Sequence, residues 1–502
     1  MGVITWDGSA STDYGTAANW DSGSVPSGSS NVVIPDTSSI NNCILDTNRT
    51  ANSFRIDANG TFDGDGNTLT VDSEGDGTTG DSEGYAVNID GIIAGTDTDI
   101  TITTPATTNI DLGATSGNIR HLIINHASCL ANMNSSATLT GNLTITAGQL
   151  AIGGHALTVA KKTYLGDNSA ADSATLTCAG SAVSLGSGYT SDYSLVVIGG
   201  GTFVGGSGTH TMGSIYLQNN GNAEITLTSG TTNINAEFTT GNLAINIAGT
   251  NAVFAHGSGT ILMNYSGAST ILTSAKSLNN LTLSHASCNI DLADALTVAG
   301  ALTITSGELD TSGSDHALTV TGATIVGVGG GSADVSTLTC NASAVILRTG
   351  STAGLGLHVK QGGTFVGGSG THTIGSISVD NHAAAKCTFS SGATELNGHG
   401  GSGLSNRIII GGTDSVNTAA GTQTITTGSA YNLESSVNDL INNLVLNSNQ
   451  TATMTNTLMI AGNLTISQGT LTTSGSNFAL TVTGDVSVTG TLTGNESAIS
   501  MG

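Results

Sequence analysis

Positive charge is scarce in this chain. Ten of its 502 residues are Lys or Arg, against 35 Asp and Glu, for a formal net charge of −25. The ten are scattered, and only Lys161 and Lys162 are adjacent. Nucleic-acid binding needs a concentrated basic surface to neutralise phosphates, so this distribution argues against it. Anionic membrane surfaces are disfavoured for the same reason. The acid excess keeps a large β surface soluble and opposes edge-to-edge association.

Long apolar runs are also missing, and with no stretch of about 18 apolar residues no membrane-spanning helix is expected. Residues Met1–Gly8 have neither a basic nor an apolar leader segment, so they do not read as a secretion signal. Trp6 stands where a myristoylation start requires Ser or Thr. Windows with apolar residues at i, i+3, i+4 and i+7 are hard to find, which argues against long amphipathic helices. Aromatics are only 4% of the chain, and both tryptophans, Trp6 and Trp20, fall near the start. Serial β-sandwiches would place a Trp or Tyr in each core and Pro in the linkers, yet there are only three prolines. The six cysteines form no C-x-x-C pair, and they read as small buried hydrophobes, with disulfide or metal roles as the alternative.

What fills the chain is 71 glycines and a ladder of Thr, Val, Ile and Leu. Leu143-Thr144-Ile145-Thr146 and Leu318-Thr319-Val320-Thr321 alternate as strands do, with the aliphatic residues in and Thr out. The chain also repeats itself. GGTFVGGSGTHT occurs at Gly200–Thr211 and again at Gly362–Thr373. GNLTITAGQL starts at Gly141, GALTITSGEL at Gly300 and GNLTISQGTL at Gly462. HASC ends at Cys129 and again at Cys288, and T-L-T-C at Cys178 and Cys340. Repetition at a fixed distance, here about 160 residues, signals stacking.

These landmarks divide the chain into an N-terminal capping or attachment β module (1–116), repeat 1 (117–277), repeat 2 (278–440) and a partial repeat 3 (441–502). A unit of this length is too long for one coil of a solenoid. At roughly 20 residues per coil it would hold about seven or eight. The expected fold is all-β: an elongated parallel β-helix (β-solenoid) rod built from tandem super-repeats of about 160 residues. Repeat 3 stops before its GGTFVGGSGTHT block, which reads as a fragment of a longer protein or as an end covered by a partner or another copy.

Several residue groups invite a chemical reading. Asp63, Asp65, Asn67 and Glu74 fall at positions 1, 3, 5 and 12 of a calcium loop, within an acidic stretch that continues through Asp76, Asp81 and Glu83. Thr68 replaces the glycine such a loop wants, so an acidic Gly-rich loop is the preferred reading. His126 and His285 lie in the HASC copies, and His210 and His372 in the GSGTHT copies. Asn447-Ser448-Asn449-Gln450 replaces HASC in repeat 3, so these are read as stacked surface or corner histidines. Asp291 and Asp294 come nearest to the paired carboxylates of a glycosidase, but Asn132 and Ser135 replace them in repeat 1. Gly199-Gly200-Gly201 and Gly329-Gly330-Gly331 open no helix and are not phosphate loops. Asn48-Arg49-Thr50 and Asn142-Leu143-Thr144 are read as turn and strand residues. No catalytic, cofactor-binding or metal-binding residue is assigned.

The opening segment carries a pattern: Thr5-Trp6-Asp7-Gly8, Ala18-Asn19-Trp20, Val25-Pro26 and Asn31-Val32-Val33-Ile34-Pro35. With the Leu-Thr-Ile/Val ladder it resembles repetitive β-helical fibre and appendage proteins of tailed, especially marine, phages. More distantly it resembles the passenger repeats of bacterial adhesins and autotransporters. The resemblance implies a non-catalytic spacer in the virion that binds a host-surface glycan or protein. It also implies assembly as a homo-oligomer, often a trimer, or with other virion proteins. A secreted surface adhesin of the same fold is the alternative, and a polysaccharide-degrading β-helix enzyme the second alternative.

Overall fold

The computed structural model describes residues 2–75, 84–113, 118–169, 173–235, 243–311, 314–329, 335–348, 355–380, 382, 384–398, 407–410, 416–418, 421–428, 430–435, 440–473 and 476–502. Asp76, Asp81, Glu83, Ser116, Gly117, Gly330 and Gly331 lie outside the described residues. The described residues are all-β with no α-helix; a short 3-10 turn spans Ala17–Asn19. The paired strands run parallel and build a β-solenoid. The chain divides into two compact units, Met1–Gly259 and Thr260–Gly502.

In each unit a coil consists of three short strands separated by corners, and each strand pairs with the equivalent strand of the next coil. In the first unit the third face is seen in Ala137–Leu139, Leu157–Val159, Val183–Leu185, His210–Met212 and Thr231–Ile234. Coil after coil, one residue in two points inward, so Leu139, Val159, Leu185, Met212 and Ile234 form one buried rung stack. Burying each such side chain contributes roughly 1.5–3 kcal/mol. The intervening residues, such as Thr158 and Thr211, face out. The period-two alternation of the sequence is therefore what keeps each strand in its register.

The N-terminal segment is built on the same plan. Val3–Thr5, Asn31–Ile34, Ser53–Ile56, Tyr85–Ile89 and Thr107–Asp111 stack in turn, and the last pairs with the Leu130–Met133 part of the strand Ile119–Met133. The Trp-Asp-Gly and Ala-Asn-Trp motifs meet here. Trp6 and Trp20 pack edge to face at 5.0 Å, and Tyr14 meets Trp20 at 4.7 Å. The indole N–H of Trp20 donates to the Tyr14 carbonyl at 2.8 Å, and that of Trp6 to the Asn41 carbonyl at 2.7 Å. Buried Asn19 accepts from the backbone N–H groups of Ala10 and Ser11. The motif is thus a self-satisfied aromatic cluster.

In the second unit the strand Asn280–Leu292 bends through the HASC corner and serves two faces, and Leu302–Asp310 above it does the same. From Asn280 the strands make six complete coils and two further segments before the repeat restarts at Asn443. One super-repeat is therefore six and two-thirds coils. This falls below the seven or eight expected because some corners are long. The coil from Thr324 to Leu357 takes half as much chain again as the one from Leu302 to Thr324. The missing third of a coil has a geometric consequence. Asn443–Leu446 stands on Thr422–Ile425 of the third face, whereas Tyr431–Leu433, on the face where Asn280 began, pairs with Ala452–Met454. Homologous corners in this unit are thus displaced by one face from one repeat to the next.

Candidate functional site

The repeated motifs are the first candidates, and the structure gives them packing roles. In the GGTFVGGSGTHT block, Gly201–Val204 forms a second-face strand, the next five residues turn the corner, and His210 starts the third-face strand. The corner is held from both sides. Ser207 N–H donates to the Ala179 carbonyl of the coil before at 2.7 Å, and Gly205 N–H donates to the Thr226 carbonyl of the coil after at 2.8 Å. A Cβ on Gly206 would overlap the Ala179 carbonyl, and one on Gly208 the Ser181 carbonyl. Gly368 and Gly370 repeat this against Asn341 and Ser343. The block recurs because its glycines leave no room for a side chain between two coils.

The HASC corner works the same way. The Nδ1 of His126 accepts from the Ser128 N–H at 3.2 Å, and that of His285 from the Ser287 N–H at 3.2 Å. Both are corner histidines, as read from the sequence. Cys129 and Cys288 point inward, and all six cysteines are buried and free. Burial pushes the Cys129 thiol up to about 11 and the Cys288 thiol up to about 12. Such thiols are poor nucleophiles at neutral pH.

His210 and His372 differ from their expected position at the surface or a corner. Both are fully buried on third-face strands, edge-on to Phe203 and Phe365 at 6.1 and 5.9 Å. The pattern His-Thr-Met or His-Thr-Ile places them inward by the same alternation that places Val183 and Val345 one coil earlier. Polarity suggested a surface; the strand's phase decides. The Nε2 of His210 lies 2.7 Å from the Gly205 carbonyl. Burial lowers the pKa of His210, against two opposing backbone hydrogen bonds, and takes His372 down to about 4.

The calcium-loop positions are not drawn together. Asp63 ends one strand and Asp65 turns the corner, with Asp65 N–H donating to the Asp63 carboxylate at 3.0 Å. The Asn67 amide donates to the Leu45 and Asp65 carbonyls. Thr68–Val71 is a strand, and it separates this corner from Glu74 by roughly 13 Å of extended chain.

Asp291 and Asp294 also part. Asp294 turns to the coil before, where it accepts from Thr273 N–H at 3.0 Å and Ser274 N–H at 2.5 Å. It thereby holds a turn in which Ser274 and Ala275 are both left-handed. Asp291 instead stands beside Asp310 on the next strand, with Glu308 two residues before Asp310. Burial, then Asp310, then Glu308 raise the Asp291 pKa. Thr339 donates to Glu308 at 2.7 Å and Asn341 to Asp310 at 2.5 Å. A recess of about 210 Å³ adjoins this face, lined by Ser287, Cys288, Asn289, Glu308, Val335 and Thr337. This acidic trio is a chemical grouping that coil pairing assembles and sequence spacing did not show. It belongs to repeat 2 alone: the equivalent residues are Asn132, Gln149 and Ala151 in repeat 1, and Thr453, Thr470 and Thr472 in repeat 3. Among the described residues no group of three or more His, Cys, Asp or Glu side chains is placed to hold a metal ion.

The sequon asparagines are corner residues. Asn48 accepts from Thr68 N–H at 2.9 Å, and Asn142 from Lys162 N–H at 3.1 Å. In comparisons with known proteins, no family model, no curated protein and no solved structure gave a significant match.

Proposed function

We propose that the chain is a structural fibre or virion-appendage protein of the tailed-phage kind, a spacer and surface-attachment element without a catalytic centre. One observation supports this most: the features that recur at the super-repeat distance are occupied in coil-to-coil packing. The corner glycines are closed off by neighbouring backbone, and the repeated histidines and cysteines are buried or bound at corners. The acidic trio does not recur, as a duplicated active site would. The opening Trp-Asp-Gly to Val-Val-Ile-Pro pattern adds the resemblance to phage appendages. On this reading the partners are further copies of the chain, other virion proteins, and a glycan or protein on a host surface.

The test has two arms. Tail and capsid genes are expected beside the encoding gene, whereas an export signal and secretion genes there would favour an adhesin. A panel of acidic polysaccharides incubated with the protein is expected to release no reducing ends. Release that disappears in Asp291→Asn and Asp310→Asn variants would replace this reading with an enzyme.

A further inference from the structure

The inward rungs of the third face in the second unit run Leu296, Leu318, Val345, His372, Thr394, Gln423, Leu444 and Leu464. The companion rungs are apolar from Val298 through Ile374 and Ile425 to Ile466. Polarity thus enters at three consecutive coils and nowhere else along this stack. His372 and Thr394 are fully buried and Gln423 is 1% exposed. Both ring nitrogens of His372, the Thr394 hydroxyl and both amide atoms of Gln423 have no hydrogen-bond partner among the described residues. Buried polar atoms are nearly always paired, and each one left unpaired is strongly unfavourable. Adjacent rungs lie about 4.8 Å apart, so the five atoms share one locality.

The inventory identifies the ligand. A neutral imidazole offers one donor and one acceptor, Thr offers both, and so does the Gln amide. A cation would pair the acceptors alone and an anion the donors alone, leaving the other atoms unpaired. A mixed set suits water, which occupies buried polar sites with two to four hydrogen bonds. We propose that His372, Thr394 and Gln423 enclose a water-binding site in the core of the second unit, and that the unit opens there when His372 takes up a proton.

Among the described residues, the strands flanking His372 offer no inward-facing charge to compensate that proton. The strands on either side of His372 are Val345–Leu347 and Ala393–Leu396, and their one charged residue, Glu395, faces outward and accepts from Thr426 at 2.6 Å. Phe365 faces the ring across the corner. Burial is the sole cause that lowers the His372 pKa to about 4. An unfolded histidine titrates near 6.5. Between these values the unfolded state binds more protons, so the stability is complete above about pH 6.5 and is lost as the pH falls towards 4.

The test compares the full-length protein with His372→Gln and with a triple variant, His372→Leu/Thr394→Val/Gln423→Leu, by urea unfolding at pH 7 and pH 4. The wild type is expected to lose on the order of 100-fold more in its folding equilibrium over this range than either variant. His372→Gln keeps a polar, non-titrating side chain, so it serves if the triple variant does not fold. Equal pH responses in wild type and His372→Gln would overturn the acid opening. A high-resolution crystal structure showing ordered water within hydrogen-bond reach of all three residues supports the site. Direct side-chain contacts with no water would overturn it.

Discussion

Gly206 gives the sharpest mutational test of how the coils fit together. Its φ of +69° and the overlap of an added methyl with the Ala179 carbonyl are two separate penalties. Gly188 carries the first alone: its φ is +79° and nothing lies within 4 Å of where a Cβ would stand. Gly180 carries neither, and a Cβ there would sit 3.6 Å from the Ser207 hydroxyl, an ordinary contact. All three lie in the first unit. Left-handed backbone costs an L-residue about 1–2 kcal/mol, so Gly188→Ala should lose that amount. Overpacking against backbone adds about 1–3 kcal/mol, so Gly206→Ala should lose roughly 2–5 kcal/mol. Gly180→Ala should be neutral or gain up to about 1 kcal/mol, because alanine narrows the unfolded ensemble. Urea unfolding followed by far-UV circular dichroism gives the three values, and hydrogen exchange locates the loss at the corner. Gly206→Ala and Gly180→Ala with the same midpoint would refute the reasoning, since the corner would then not be pressed between coils.

Other outcomes follow from single contacts. Asp294→Ala removes the carboxylate that accepts from the Thr273 and Ser274 N–H groups and should cost about 1–3 kcal/mol, with Asp294→Asn losing less; thermal unfolding measures both. Arg120 makes a two-pronged pair with Asp99 at 2.9 and 2.8 Å, but its head is partly in solvent, so Arg120→Gln should cost at most about 1 kcal/mol and less in high salt. The native protein should react negligibly with a thiol reagent at pH 8 and expose all six thiols in denaturant; rapid native labelling would show that the cysteine rungs are open.

The sequence revealed the fold through its shortest-range signal. Alternation in Leu157-Thr158-Val159 or Leu318-Thr319-Val320 sets which side chains face in, and the structure places them so. The opening pattern around Trp6 and Trp20 marked a distinct segment, and the structure shows coils continuing through it. Three features were missed. Coil length depends on how far each corner loops out, and composition does not fix that, so the two-thirds of a coil at the repeat boundary was not legible. Polarity placed His210 and His372 at the surface or a corner, when their position two residues before Met212 and Ile374 already put them on the buried side. The acidic trio escaped because Asp291 and Asp310 are distant in sequence and become neighbours only through coil pairing.

The pairing of Asn443–Leu446 tests the coil count directly. Val445 faces out beside Thr424 on the third face. Were a super-repeat a whole number of coils, Val445 would stand instead above Asn432 on the first face. Neighbouring parallel strands bring Cα atoms to about 4.8 Å, within reach of a disulfide. Under mild oxidation, Thr424→Cys/Val445→Cys should close to a cross-linked species on a non-reducing gel, while Asn432→Cys/Val445→Cys should stay open. Closure of the second pair and not the first would contradict the six-and-two-thirds-coil repeat on which the architecture rests.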